Sequence, residues 1–429
     1  MKKADFVVAG CRQVVTGRGS APKRKEALAE VDVIPDGWLA SRDGRIVFTG
    51  TEAAFRAEVE TAPGAVRIDG RGLVALPGFV DAHTHLPFAG DRAEEFGLRL
   101  KGWTYQQLAE RGLGIKTTVG ATRRATLEEL TALCRERLDR MLLQGTTTAE
   151  AKSGYGLNLA DEIKQLEAVR AAGRAHPVEL VATFMGAHDV PAEYLSRKED
   201  YIDLLVHEIM PEVRRRKLAR FFDVFCEKGV YSLAETERLV QAAGAAGFDI
   251  KIHADEFVPL GGTELAAAVG AVSAEHLIAI TEAGIRALAE SGTVAVILPG
   301  VPFFLRLSGR APARRLIDAG AIVALATDFN PGTSMIESML FILQLGVFTH
   351  ELNIEEALNA ATINGACALR LQDEVGTLDA GKKMDVVLCD LPSYEHLAYH
   401  LGLNPVVRVI KNGRLVVEDG RPVYSSPAP

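Results

Sequence analysis

Between residues 75 and 326, eight short apolar runs alternate with amphipathic stretches, and that alternation leaves the chain few folds to choose from. The runs cover residues 75–80, 146–151, 178–185, 221–226, 249–252, 272–275, 293–298 and 322–326. Each has strand length, and the intervals between them hold helices, which is the pattern of parallel strands joined by helical crossovers. Eight such units predict an α/β fold, a (β/α)8 TIM-like barrel, which accounts for about 250–300 residues. Both ends of the 429-residue chain read differently. Near the start, Phe6-Val7-Val8 and Arg45-Ile46-Val47-Phe48 flank the turn signal Asp43-Gly44. Near the end, Asp385-Val386-Val387-Leu388 and Val406-Val407-Arg408-Val409-Ile410 are followed by Asn412-Gly413 and Asp419-Gly420. This shared strand-and-turn grammar predicts a small composite β-sandwich domain from residues 1–75 and 376–429, with the barrel spanning 76–375.

Charge argues against a polyanion-binding role. The formal net charge is -8, and the two basic runs, Lys23-Arg24-Lys25 and Arg214-Arg215-Arg216-Lys217, read as solvated faces. Five cysteines, an odd number without a Cys-x-x-Cys spacing, are expected to be free thiols of a reducing compartment. No apolar stretch has the length of a signal core or a membrane span, so a cytoplasmic protein acting on a small molecule, without membrane or nucleic-acid partners, is expected.

In a (β/α)8 barrel the residues just past the carboxyl ends of the strands converge on one mouth, however distant in sequence. The first run ends in Asp81-Ala82-His83-Thr84-His85, where the His-x-His spacing puts two imidazoles on one strand face. The second ends in Lys152-Ser153-Gly154-Tyr155-Gly156 and the third in His188-Asp189. The fifth ends in His253-Ala254-Asp255-Glu256, the sixth in Glu275-His276, and the eighth in Thr327-Asp328-Phe329-Asn330. His83, His85, His253 and Asp328 thus offer three nitrogens and one carboxylate to a single metal ion, with a position left for water. Such an ion brings the pKa of bound water toward ~7. Glu256, three residues beyond a proposed ligand, is placed to take a proton from that water and pass it to a leaving nitrogen. His276 either holds the nucleophile and polarises the substrate or supports the metal ligands from behind.

The entry Leu76-Pro77-Gly78-Phe79-Val80-Asp81-Ala82-His83-Thr84-His85 and the ending Gly376-Thr377-Leu378-Asp379-Ala380-Gly381 resemble the amidohydrolase superfamily of metal-dependent barrel hydrolases. Five inner motifs are more specific: Lys152-Ser153-Gly154-Tyr155-Gly156-Leu157, Gly186-Ala187-His188, Phe225-Cys226-Glu227-Lys228-Gly229-Val230, His253-Ala254-Asp255-Glu256-Phe257 and Thr327-Asp328-Phe329-Asn330-Pro331-Gly332. Together they resemble the imidazolonepropionase family, over about residues 40 to 415. That resemblance implies hydrolysis of 4-imidazolone-5-propionate to N-formimidoyl-L-glutamate in histidine degradation, with one zinc or iron ion per subunit and a homodimer. It implies His83, His85, His253 and Asp328 as metal ligands and Glu256, His276 and Asp328 as catalytic residues. Arg92, Tyr155, His188, Glu256, Asn330, Gly332 and Thr333 are implied as substrate contacts, with Tyr105 near the pocket. A guanidinium fork suits the propionate tail, although Arg92 can equally pair with Glu94 or Glu95.

The chain departs from the family at Val301-Pro302-Phe303-Phe304, where relatives more usually carry a small residue and an aromatic pair with a tyrosine. The superfamily's bridging lysine is absent from the fourth strand end, where Lys228 lies past the strand, which favours a mononuclear site. The Gly-rich stretch from Arg111 to Gly120 lacks the ending of a phosphate loop and reads as a cover beside the mouth. Two other readings remain open: an aminohydrolase that deaminates a nucleobase-like ring, and a non-catalytic assembly protein built on the same barrel. Arg92 argues against the first, because a nucleobase has no propionate.

Overall fold

In the computed structural model, which describes residues 1–103, 107–108 and 111–424, eight parallel strands follow one another around a single sheet in chain order. They are β1 (Phe79–Asp81), β2 (Thr146–Lys152), β3 (Glu179–Ala187), β4 (Phe221–Cys226), β5 (Asp249–Ala254), β6 (Ser273–His276), β7 (Val294–Ile297) and β8 (Ile322–Leu325). The expected barrel is therefore present. Its last strand meets its first just above the strand ends: the Asp328 amide donates to the His83 carbonyl at 3.0 Å, and the His85 amide to the Phe329 carbonyl at 2.9 Å. The seam is thus tied by residues that the sequence marks for chemistry.

Helices coat the outside, and their starts are written locally. Thr126 with Glu129, Ser232 with Glu235 and Asn353 with Glu356 each form a reciprocal capping box, which satisfies amides at a helix start that have no partner inside the helix. Leu130, Cys134, Leu138 and Met141, all on the helix Leu127–Leu142, are fully buried. Their i, i+4, i+8, i+11 spacing is the stripe that a barrel helix turns inward.

Two expectations are corrected. The run 75–80 is not one strand: Val74–Pro77 pairs antiparallel with Val386–Cys389 in the terminal sheet, whereas Phe79–Asp81 pairs with β2. The handover falls at Gly78, whose amide donates to the Asp385 carbonyl and whose absent Cβ would stand 2.2 Å from Thr147 Oγ1. No larger residue fits between the two sheets there. The basic run at 23–25 is not simply solvated either. The Arg24 guanidinium donates to the carbonyls of Ala289, Ser291 and Gly320, pinning the segment to the barrel.

Both chain ends contribute to one nine-stranded sheet, so the expected sandwich is built from a continuous sheet. Phe6, Val8 and Leu39 from the start share a core with Val386, Leu388 and Ile410 from the end. Lys383 and Lys411 hold this unit to the barrel through Glu179 at the start of β3, at 2.7 and 3.5 Å. All five cysteines are free and buried. Among the described residues no helix is long and apolar enough to cross a membrane.

Candidate active site

Four side chains meet at the carboxyl end of the barrel. His83 Nε2 and His85 Nε2 lie 3.1 and 3.4 Å from Asp328 Oδ1, and His253 Nε2 lies 3.4 Å from His85 Nε2. All four residues are at most 2% exposed. Yet Asp328 Oδ1 and His83 Nε2 make no directed hydrogen bond among the described residues. Buried polar atoms are normally satisfied, so lone pairs converging without shared protons fit a cation among them. The outer nitrogens support the same reading. His83 Nδ1 is 2.5 Å from Glu275 Oε2 and His253 Nδ1 is 3.0 Å from Asp223 Oδ2, an arrangement in which a carboxylate holds each ring with its Nε2 facing inward.

Electrostatics point the same way. Burial opposes a charge on His83, but Glu275 and Asp328 outweigh it and raise this imidazole to about 9, so the pocket favours positive charge here. Burial likewise opposes ionisation of Asp328, and His83 and His85 hold it well below the usual carboxylate range all the same. Burial lowers His85 to about 3 and holds His253 well below the ordinary imidazole value, which keeps both neutral as ligands must be. Asp81, two residues before the histidine pair, is not aimed at this centre. It accepts from Thr327 N at 3.0 Å and Oγ1 at 2.6 Å and so braces the strand end that presents Asp328.

Below the mouth lies a layer that the sequence reading missed. Lys152, Lys251, Glu150, Asp223 and Glu275 are all fully buried inside the barrel. Lys152 Nζ contacts Glu150, Asp223 and Glu275 at 2.8, 2.6 and 2.9 Å, and Lys251 Nζ contacts Glu150 and Glu275 at 2.9 and 3.0 Å. Through Glu275 and Asp223 this layer reaches His83 and His253. A signal for it exists: Glu150 and Lys152, like Lys251 and His253, alternate at period two with apolar residues inside strand-length runs.

Glu256 stands beside the four converging side chains. Burial, then Asp328 and Glu227, push its carboxyl well above the usual range, which suits a group that carries a proton. His276 Nδ1 lies 3.6 Å from Glu256 Oε1, and burial lowers this imidazole to about 4. Both His276 and Asp328 sit in the left-handed backbone region, with φ of 73° and 49°. Such strain in buried residues other than glycine concentrates at functional sites.

A cavity of about 410 Å³ opens over this centre, lined by His85, Arg92, Tyr155, His188, Glu256, His276, Asp328, Asn330 and Thr333 among the residues singled out from the sequence. His188 Nδ1 donates to the Gly154 carbonyl at 3.1 Å, which leaves Nε2 for the cavity. Its ring packs on Tyr155 and His85. Gly332 is not among the lining residues but abuts the Arg92 guanidinium, whose Nη1 would stand 2.2 Å from a Cβ at this position. Asn330 is spent on its loop: its oxygen accepts from the Gly332 and Thr333 amides, and its nitrogen donates to the Asp328 carbonyl and Thr333 Oγ1. Arg92 forks onto Glu95 at 2.8 and 2.6 Å, a buried pair in the cavity wall rather than a surface one. The second half of the Gly-rich stretch is helical, in the helix Ile115–Arg124, and its first residue, Ile115, lines the cavity. Tyr105 lies outside the described residues. None of the four residues of the departing segment lines the cavity: Phe304 packs on Phe96 and Phe303 points outward, while the next residue, Leu305, reaches it.

Comparison with known proteins places this geometry in a family. Residues 74–416 match the amidohydrolase family. The chain is 52% identical to an imidazolonepropionase of Symbiobacterium thermophilum over 98% of its own length and 99% of the relative's. It is 46% identical to that of Brevibacillus brevis over 95% and 96%. Among solved structures, an adenosine deaminase from Xanthomonas campestris with bound zinc superposes with a TM-score of 0.74 at 20% identity, covering 98% of this chain and 95% of that one. An atrazine chlorohydrolase from Arthrobacter aurescens TC1 complexed with zinc superposes at 0.73 and 19%, covering 98% and 97%. At such identities these two likenesses speak for the fold alone.

Proposed function

Because this chain belongs to the amidohydrolase family and, within it, to the imidazolonepropionases, we propose that it opens the ring of 4-imidazolone-5-propionate by hydrolysing its cyclic amide C–N bond, releasing N-formimidoyl-L-glutamate in histidine degradation. The observation that carries the reading is the convergence of His83, His85, His253 and Asp328 beneath a cavity that also holds Glu256 and Arg92. The enzyme is a metal-dependent hydrolase of C–N bonds. We assign His83, His85, His253 and Asp328 as ligands of one zinc or iron ion per subunit, an ion that when bound supplies Lewis acidity and a water of lowered pKa.

The remaining steps belong to the chain's own side chains. Arg92 offers its guanidinium to the propionate and so fixes which ring edge faces the centre. Tyr155 and the free Nε2 of His188 flank the ring, and Thr333, Gly332 and Asn330 shape the wall beyond Asp328. Glu256 takes the proton of the attacking water and returns one to the departing ring nitrogen, for which its elevated pKa suits it. His276, on the Glu256 side of the cavity, steadies the substrate oxygen. Asp328 receives Thr333 Oγ1 at 3.4 Å, which ties the substrate wall to the ligand set. We further read residues 1–75 with 376–429 as one domain and 76–375 as the other, in a cytoplasmic homodimer.

The test is hydrolysis of freshly prepared 4-imidazolone-5-propionate, followed as loss of its ultraviolet absorbance, by metal-replete and chelator-stripped protein side by side. Metal-dependent conversion to N-formimidoylglutamate is expected. Ammonia release from a nucleobase-like ring in its place would move the assignment to a deaminase, and absence of any turnover by metal-loaded protein would sink both.

A further inference from the structure

A second arginine stands in the cavity wall. Arg92, Glu95 and Arg99 are spaced i, i+3, i+7 at and within the helix Ala93–Leu100, so they share one face. Glu95 is buried and heavily used: it accepts Arg92 Nε and Nη2 and the Gly114 amide, at 2.8, 2.6 and 2.9 Å, and its Oε1 stands 4.0 Å from Arg99 Nε. One carboxylate therefore serves two guanidinium groups, and this trio keeps one positive charge in excess.

Both guanidinium groups border the same backbone. Arg92 Nη1 passes 2.2 Å from where a Cβ on Gly332 would stand, and Arg99 Nη2 donates to the Gly332 carbonyl at 2.8 Å. With Nε and Nη2 committed to Glu95, Arg92 has only its Nη1 side left for a ligand. Arg99 lines the cavity, its guanidinium lies 5.9 Å from the Phe304 ring centre, and its Nε is buried without a hydrogen-bond partner among the described residues. A buried donor left without a bond is costly, which fits one whose partner arrives with the substrate.

We propose that Arg99 is a second carboxylate-binding residue, acting with Arg92 across Gly332 on the propionate tail, with Glu95 as the strut that fixes both. The inference rests on the function proposed above and adds a contact to it. It explains how Arg92 can be bound to Glu95 and the wall still attract an anion: the surplus charge belongs to the pair. It also makes Gly332 a requirement of the site, because any side chain there would displace Arg92.

The experiment compares two stable ring analogues on the metal-loaded enzyme by titration calorimetry: imidazole-4-propionate, and its carboxamide, which has the same shape without the charge. Wild type is expected to prefer the acid. Arg99→Gln is expected to weaken acid binding by about tenfold to hundredfold, the size of a charge-assisted hydrogen bond, and to leave amide binding within about twofold. Arg99→Lys, which keeps the charge but loses the fork, is expected to weaken the acid by about threefold to tenfold and to serve if the glutamine variant does not fold. Equal weakening of acid and amide would make Arg99 a support of the Gly332 loop and overturn the proposal, as would an unchanged acid preference. A wild-type enzyme that turns over the imidazolone while showing no acid preference would overturn the proposal alone. Failure of wild type to bind either analogue, or to turn over the substrate, would instead count against the function proposed above.

Discussion

The mouth of the barrel and the layer directly beneath it are both crowded with buried ionisable groups, but they treat them in opposite ways. In the lower layer each ammonium sits among carboxylates, Lys152 touching three and Lys251 two, although Glu150 Oε2 and Glu275 Oε2 join as ion pairs without a directed hydrogen bond among the described residues. At the mouth, His83, His85, His253 and Asp328 face one another with few directed hydrogen bonds, burial and Asp328 push the Glu256 carboxyl well above the usual range, and His276 and Asp328 carry left-handed backbone. The lower layer spends its charges on geometry, and the mouth keeps its donors for something that arrives. A buried group set against an opposite charge therefore reads as scaffold here, and one left short of partners reads as chemistry.

The largest effect expected from this contrast is at the mouth. Glu256→Gln keeps the shape and removes the proton carrier, and kcat should fall by as much as about ten-thousandfold, close to 5 kcal/mol of barrier. Metal content measured by atomic emission should stay at the wild-type level. Near-normal turnover would take Glu256 out of its role and weaken the claim that the mouth is organised for proton transfer.

Next in size is a scaffold test. Lys152→Met removes the cation that faces Glu150, Asp223 and Glu275, leaving Asp223 buried without a lysine and Glu150 and Glu275 sharing Lys251 alone. Breaking a buried ionic network in this way costs about 3–5 kcal/mol, read as a lowered free energy of unfolding in urea. A loss below about 1 kcal/mol would mean that the lower layer is not the paired scaffold described here.

The converse at the mouth is smaller and of opposite sign. His85 is buried, neutral and has no partner for Nδ1 among the described residues. His85→Leu should abolish metal retention while stabilising chelator-treated protein by about 1 kcal/mol, because it removes a polar group whose Nδ1 has no hydrogen bond and whose Nε2 has only the long 3.4 Å contacts to His253 and Asp328. Destabilisation of the treated protein would show that the mouth contributes to the fold as the lower layer does.

What the sequence made legible follows the same division. The eight runs could be read because strand-length segments of largely β-forming or small residues recur between amphipathic stretches, and the barrel topology then gathered His83, His85, His253 and Asp328 from three distant strand ends. The lower layer was harder to see. Knowing that Glu150 and Lys152 point inward requires the strand's facing, and a charged residue in an apolar run is ordinarily assigned to a rim. Lys152 was noticed, but only as the first letter of a loop motif. Glu95 and Arg99 share a helical face with Arg92, a periodicity legible in the chain but passed over in favour of the single arginine that family likeness singled out. Gly78 and Arg24 were invisible for a different reason: what they do depends on Thr147, Asp385, Ala289 and Gly320, which the sequence places far away.

A last prediction limits the rule itself. His350, at the end of the helix Met339–His350 on the outside of the barrel, is buried; its Nδ1 contacts Thr349 Oγ1 at 2.8 Å and its Nε2 has no partner among the described residues. By the contrast drawn above it would pass for chemistry, yet it lines no part of the catalytic cavity. Burial, helped by Arg310, lowers its pKa from 6.5 to about 4. The folded protein therefore resists a proton that the unfolded chain accepts below about pH 6.5, so the stability associated with neutral His350 is full above that pH and is lost progressively toward pH 4. Between pH 7.5 and 5.5 the loss amounts to about 1 kcal/mol. His350→Gln should flatten that portion of a stability profile measured by urea unfolding and leave turnover at neutral pH within about twofold. If turnover falls instead, a partnerless imidazole outside the mouth is functional too. If the profile is unchanged and turnover intact, His350 is neither chemistry nor a pH liability, and lack of a partner marks function only where several such groups converge.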